Sequence, residues 1–178
     1  MFGFLKPRRL PEGPYQFVGA LEIERPAEHV FPLIDLADPR YAKRQLGESV
    51  EEVEGRPGTY RLVLGEIPDL AFELTVTERE PQSSIGFACT IAPRVGRLGA
   101  SHELYRLEPL GPDRCRLELV NTVTFSGRLS EHALVEETTM LTVSVHNALA
   151  KIKLHAEGGV AAVRAVERDI VVGLDCEA

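Results

Sequence analysis

Hydrophobic and polar positions alternate with a period of two through the middle of the chain and switch to helical spacing near both ends. Residues 15–25 place Phe17, Gly19, Leu21 and Ile23 on one face and Glu22 and Glu24 on the other, which predicts a half-buried strand. Pro26 stops it. Residues 28–37 carry Val30, Leu33, Ile34 and Ala37 at helical spacing, and Pro32 inside that run predicts a kinked or short helix, because proline removes a helix hydrogen bond. Asp38 as cap and Pro39 at the first position predict a second short helix through Tyr41 to about Arg44.

From Glu48 the texture is that of strands separated by turns. A weak strand over 48–54 leads to the turn Gly55-Arg56-Pro57-Gly58. Residues 59–65 put Tyr60, Leu62 and Leu64 on one face, and 70–80 set Leu70, Phe72, Leu74 and Val76 against Glu73, Thr75 and Thr77. After a turn at Glu80-Pro81-Gln82-Ser83, residues 84–91 align Ile85, Phe87, Cys89 and Ile91. A loop with Pro93, Gly96 and Gly99 precedes a strand over 100–108 with Glu103, Tyr105 and Leu107 in phase. The turn Pro109-Leu110-Gly111-Pro112-Asp113 leads to a long strand over 114–126 carrying Leu117, Leu119, Asn121, Val123 and Phe125. Short turns between consecutive strands predict an antiparallel meander.

Ser130 then caps a helix whose apolar stripe is Leu134, Thr138, Leu141, Val145, Ala148, Leu149 and Ile152, about six turns at 3.6 residues each. Lys151, Lys153 and His155 suit its negative end, and Gly158-Gly159 is expected to finish it. Beyond that point the pattern divides: Val160, Val163 and Val166 suggest more helix, whereas Ile170-Val171-Val172 suits a strand.

The chain has 178 residues and a formal charge of −7, with 44% apolar and 26% charged residues. That balance is an ordinary globule's and argues against nonspecific nucleic-acid binding, which needs a basic stripe. The three cysteines, Cys89, Cys115 and Cys176, make no C-x-x-C pair, so reduced thiols and a cytoplasmic location are expected. The start reads apolar then basic, Phe2 and Phe4 before Lys6, Arg8 and Arg9, the reverse of a signal peptide.

The order of one strand, a broken helical pair, antiparallel strands and a long closing helix resembles the START-like SRPBCC superfamily, which includes polyketide cyclases and dehydrases and coenzyme Q-binding proteins. Four stretches carry the resemblance. Leu21-Glu22-Ile23-Glu24-Arg25-Pro26-Ala27-Glu28-His29-Val30-Phe31 is similar to the first strand and the P-A-x-x-V-F helix start. Val76-Thr77-Glu78-Arg79-Glu80-Pro81 and Tyr105-Arg106-Leu107-Glu108-Pro109 are similar to two strand ends of that superfamily, and the closing helix through Leu149 and Ile152 is the fourth. The resemblance implies an α+β helix-grip fold: a curved antiparallel sheet of about seven strands around a long C-terminal helix, with two short helices after the first strand. It divides the chain into an N-terminal tail over 1–14, the domain over 15–159 and an extension over 160–178. It also implies an apolar ligand between sheet and helix, and catalysis in some members only.

A curved sheet cannot close on one straight helix everywhere, and a ligand pocket is mostly apolar with a few fixed polar groups. The inward phases nominate Tyr60, Phe72, Phe87, Glu103, Tyr105, Leu119, Asn121, Thr138, Leu141 and Val145 as ligand-lining residues. Glu103 and Asn121 stand out, because a polar group in phase with core residues is costly unless paired. No zincin, phosphate-loop or nucleophile-elbow pattern is present, and the five histidines show no ligand spacing, so no metal and no cofactor are expected. The preferred function is binding or carrying a small lipid-like or polycyclic molecule. The alternatives are a cyclase, dehydrase or isomerase, with Glu103 or Glu137 as general base and Tyr105 or Asn121 stabilising an enolate, and an accessory docking on a membrane or protein through its two ends. Transient membrane contact and a dimer are the further partnerships raised, with the oligomeric state open.

Overall fold

The elements run β1 (Tyr15–Ile23), α1 (Ala27–Ile34), α2 (Ala42–Leu46), β2 (Ser49–Glu52), β3 (Thr59–Val63), β4 (Ala71–Glu80), β5 (Ser84–Ala92), β6 (Leu98–Gly111), β7 (Arg114–Phe125) and α3 (Glu131–Asp175). The computed structural model describes the backbone of residues 9–175 and the side chains of 9–167. Phe2, Phe4 and Cys176, and the side chains of residues 170–172, therefore lie outside the described residues. The seven strands form one antiparallel sheet in the order β1-β7-β6-β5-β4-β3-β2. This is the helix-grip architecture, with two short helices after β1 and a long helix closing the chain.

Where boundaries differ from expectation, a local interaction explains the difference. The second short helix begins at Ala42, because Asp38 is engaged elsewhere. Its carboxylate accepts from the Arg40 backbone N–H at 2.8 Å and from the Arg40 guanidinium at 3.0 and 2.9 Å, which makes a turn and not a cap. α1 ends at Ile34, leaving Ala37 exposed beyond it. β6 is longer at both ends than its alternation indicates. It takes in Gly99 and runs through Pro109 to Gly111, with register shifts at both places. A bulge leaves a residue outside the ladder, so proline's missing N–H is tolerated there. Gly158-Gly159 bends α3 and does not end it. Gly159 adopts φ 73°, ψ −175°, a backbone conformation open essentially to glycine, and helix resumes through the stretch that also suited a strand.

Residues 9–14, assigned above to a tail, are tied to the domain: Leu10 N–H donates to the Leu129 carbonyl at 2.9 Å, and Phe125 N–H to the Glu12 carbonyl at 2.7 Å.

The pairing register aligns the concave face in rows. One row is Val76, Phe87, Glu103, Asn121 and Phe17, and the next is Ile85, Tyr105, Leu119 and Gly19. α3 seats its buried Val145 and Leu149 on β1, and it packs on β7, α1 and α2 besides. The seat depends on Gly19. A Cβ there would stand 2.8 Å from Leu149 Cδ1 and 2.9 Å from Val145 Cγ1. At the other side, α1 and α2 are pinned by two arginines. Arg79 Nε and Nη2 donate to the buried Asp35 carboxylate at 3.0 and 2.7 Å, while Asp35 Oδ1 accepts from the Ala37 N–H at 3.1 Å. Arg44 donates to the Leu36 carbonyl at 3.2 Å and to the Val50 carbonyl, tying α2 to β2.

Gly19→Val forces two methyl groups into the β1–α3 contact. Overpacking of this kind costs typically about 1–3 kcal/mol, so the denaturation midpoint should fall with the slope unchanged. A midpoint equal to that of the unmodified protein would refute the close approach.

Candidate functional site

Because α3 rests on β1 and β7, the concave surface of β3, β4 and β5 is left for α1, α2 and one flank of α3 to roof. Between them lies a cavity of about 430 Å³, inside the range of roughly 300–1,000 Å³ typical of small-molecule sites. Its sheet wall is Leu62, Leu64, Phe72, Leu74, Phe87 and Cys89, with Glu103 and Tyr105 from β6. Its roof is Leu33, Ile34, Tyr41, Ala42, Lys43 and Leu46 from α1, α2 and the residues around them. The α3 flank supplies Ser144, Asn147, Ala148, Lys151, Ile152 and His155. Ser144 and Asn147 are exposed, so they mark the side facing solvent.

Of the residues nominated from the sequence, Phe72, Phe87, Glu103 and Tyr105 line this cavity. The others share the inward phase but stand elsewhere. Tyr60 and Leu119 are buried in the main core, and Val145 is taken up by its contact with β1. Leu141 packs on a smaller core of Val123, Phe125 and Leu129. Thr138 turns its hydroxyl back to the Val135 carbonyl at 3.1 Å. Asn121 is buried beside Glu103 in the cross-strand register, with Oδ1 unpartnered. Glu137 is held by Arg97 at 3.3 Å on the rim of the β5–β6 connection, away from the cavity lining.

The polar groups inside are few and specifically placed. Glu103 belongs to a half-buried residue, but its carboxyl group is enclosed. Burial pushes its pKa up against the smaller opposing effects of the Tyr105 hydroxyl and the Lys43 charge. Tyr105 O–H donates to Glu103 Oε2 at 3.1 Å. Burial, followed by the nearby Glu103 charge, holds the phenols of Tyr41 and Tyr105 well above the ordinary tyrosine range. The Cys89 thiol is pushed up to about 11 for the same reason, so it is a poor nucleophile. Chemically the wall offers a weak acid and two neutral hydroxyls in a mostly apolar space.

Of the five histidines, His155 is buried. It is 5% exposed, its Nε2 donates to Gln45 Oε1 at 2.7 Å, and its Nδ1 has no partner. The apolar stripe of α3 in fact continues past Ile152 through His155 and Ala156, which is the signal in the sequence for its burial. Behind it a second cleft of about 370 Å³ holds Arg25, Arg40 and Glu157. These heads are already engaged: Arg25 by backbone carbonyls, Arg40 by Asp38 and Glu157 by the Glu24 N–H. Among the described residues no three His, Cys, Asp or Glu side chains are grouped to hold a metal ion, and no helix is long and apolar enough to cross a membrane.

No protein-family model matches the chain, and no curated protein is similar to it in sequence. Solved structures share its fold. DynU16, a protein of the dynemicin biosynthetic locus, superposes with a TM-score of 0.61 at 17% identity over 81% of this chain, which spans about half (48%) of DynU16. The Zhui aromatase/cyclase from Streptomyces sp. R1128 gives 0.55 at 17% identity, covering 89% of this chain and 96% of that one. A START superfamily protein from Mycobacterium smegmatis gives 0.53 at 15% identity, covering 76% and 94%. At these identities the likeness is one of fold, and the fold is START-like.

Two buried groups impose opposite pH trends. Glu103 has a folded pKa above its unfolded value, so its contribution to stability is full below the unfolded value and is lost as pH rises through the folded one. Glu103→Gln should therefore match the unmodified protein at pH 4 and exceed it at pH 8 by roughly 2–4 °C in Tm, the shift about 1 kcal/mol produces at this size. Equal margins at both pH values would refute a desolvated carboxyl. Burial lowers the pKa of His155, with His29 adding to the effect. Its contribution is present above the unfolded value and is lost as pH falls toward the folded one. His155→Asn should flatten the Tm decline between pH 7 and 5, and an unchanged decline would assign it to other groups.

Proposed function

We propose that the protein binds a small apolar molecule in the cavity between the sheet and α1, α2 and α3. The single observation that carries this reading is a concave apolar wall of about 430 Å³ with its polar groups gathered at few points. Wall residues such as Phe72, Phe87, Leu62 and Leu74 offer dispersion contacts over most of a ligand's surface. The Glu103–Tyr105 pair offers one directional contact to an acceptor or donor group, enough to fix orientation.

A second reading keeps the same site and adds chemistry. Glu103 is desolvated and hydrogen-bonded to Tyr105 inside the cavity, the placement a general acid or base needs. Zhui, which shares the fold, is an aromatase/cyclase by name. Binding is preferred because Glu103 has no second titratable group from the cavity wall hydrogen-bonded to it apart from Tyr105, among the described residues. Loss of turnover in Glu103→Gln with unchanged ligand affinity would favour the enzyme.

Nile red, a neutral apolar dye, tests the binding site itself. The unmodified protein should enhance its fluorescence saturably. Ala148→Phe places a ring into the cavity from α3 and should weaken the dye's affinity at least tenfold without lowering Tm. Undiminished binding in that variant would overturn this location.

A further inference from the structure

The charged groups around the cavity say more about its ligand than the apolar wall does. Two lysines reach the lining from opposite sides of the roof, Lys43 on α2 and Lys151 on α3. Lys151 is neutralised, because its Nζ lies 2.6 Å from Glu167 Oε1 on the helical arm beyond Gly159. Lys43 differs. Among the described residues its ammonium has neither a hydrogen-bond nor an ion-pair partner, although the chain carries 27 acidic residues. Of the acids beside α2, Glu48 accepts from the Gly65 N–H at 2.7 Å and Glu52 from the Gly58 N–H at 2.9 Å. The one carboxyl that feels the Lys43 charge from inside the cavity is Glu103, which desolvation drives toward its neutral acid form. The cavity therefore joins an apolar interior to a half-buried cation that, among the described residues, no hydrogen-bonded or ion-paired carboxylate balances.

From this placement, and resting on the binding function proposed above, we propose that the ligand is an amphipathic carboxylate. Its acid group pairs with Lys43 at the rim, and its apolar body lies against Phe72, Phe87 and Leu62. Desolvation, which disfavours the ionised form of Glu103, suits such a guest, since an ionised carboxylate there would repel the ligand's own. A half-buried ammonium meeting a carboxylate in partly excluded solvent gains more than a surface pair and less than a fully desolvated one. The contrast with a neutral analogue should therefore be about tenfold in affinity.

The test compares decanoic acid with methyl decanoate by calorimetric titration at low salt, on the unmodified protein and on Lys43→Met, which keeps the aliphatic stem. Acid binding about tenfold tighter than ester, with the two equal in Lys43→Met, supports the proposal, and the acid's advantage should shrink at 0.5 M salt. An ester that binds as tightly as the acid to the unmodified protein overturns the carboxylate preference and leaves apolar binding standing. A preference that persists in Lys43→Met overturns the role of Lys43. Binding of neither compound, with Nile red also excluded, overturns the binding function itself. The comparison on the unmodified protein is decisive even if Lys43→Met folds poorly.

Discussion

A straight helix meets a twisted sheet along a line, because adjacent strands rotate by roughly 20–25° relative to one another. In this chain the line is β1 and β7, and Gly19 makes it close. A side chain at residue 19 would have to displace Leu149 and Val145 from their seat on β1. With the helix committed to one side, β3, β4 and β5 present an apolar concave face that needs another cover. The chain provides it with α1 and α2, held by Asp35 to Arg79 and by Arg44 to the Leu36 and Val50 carbonyls. These polar pins act at a place where apolar packing alone would close the space. A buried carboxylate such as Asp35 is costly to strand, so the Arg79 contact fixes where the chain leaves α1.

The same geometry explains why polar groups survive inside. The inward phase of β6 makes Glu103 and Tyr105 face the cavity, and the register sets Asn121 beside Glu103. Each is a local liability: Glu103 is desolvated, Asn121 Oδ1 is unpartnered, and His155 Nδ1 is buried without a hydrogen-bond partner. A core optimised for stability alone would replace them with apolar groups of similar size. Among the described residues these three groups lie at or beside one hollow, the distribution that the proposed binding site would need.

What was legible in the sequence was what is periodic and local. Strand phases depend on alternation, so Phe72, Phe87, Glu103 and Tyr105 were assignable to the concave face from spacing alone. Which concave residues touch a cavity depends on where α3 lies, and that is set by Gly19 and by pairs far apart in sequence. Tyr60, Leu119 and Val145 therefore share the right phase and still end in packed core. The roof was harder still, because Tyr41 and Lys43 sit where Asp38 bonds Arg40 and shifts the start of the helix. His155 was readable in principle. It continues the stripe of Val145, Ala148, Leu149 and Ile152, but the adjacent glycines and lysines make the segment look like a helix end. Gly159 bends the helix there and lets α3 continue.

The size of the hollow sets what must occupy it. Unfilled apolar space costs about 24 cal/mol per Å³, so a dry volume of about 430 Å³ would forfeit on the order of 10 kcal/mol. That is comparable to the whole stability of a typical domain, about 5–15 kcal/mol. The fold cannot carry such a void as a packing defect, so solvent or a guest must enter. Ser144 and Asn147 are exposed at the edge of the cavity, which gives water access. Water inside finds partners near polar groups such as Glu103, Tyr105, Tyr41 and Lys43, whereas along Phe72, Phe87, Leu62 and Leu74 it loses hydrogen bonds. An apolar guest that displaces the second population and leaves the first to a polar end gains on both counts. The division of the wall into a long apolar stretch and a few polar points is the arrangement on which the proposed amphipathic guest relies.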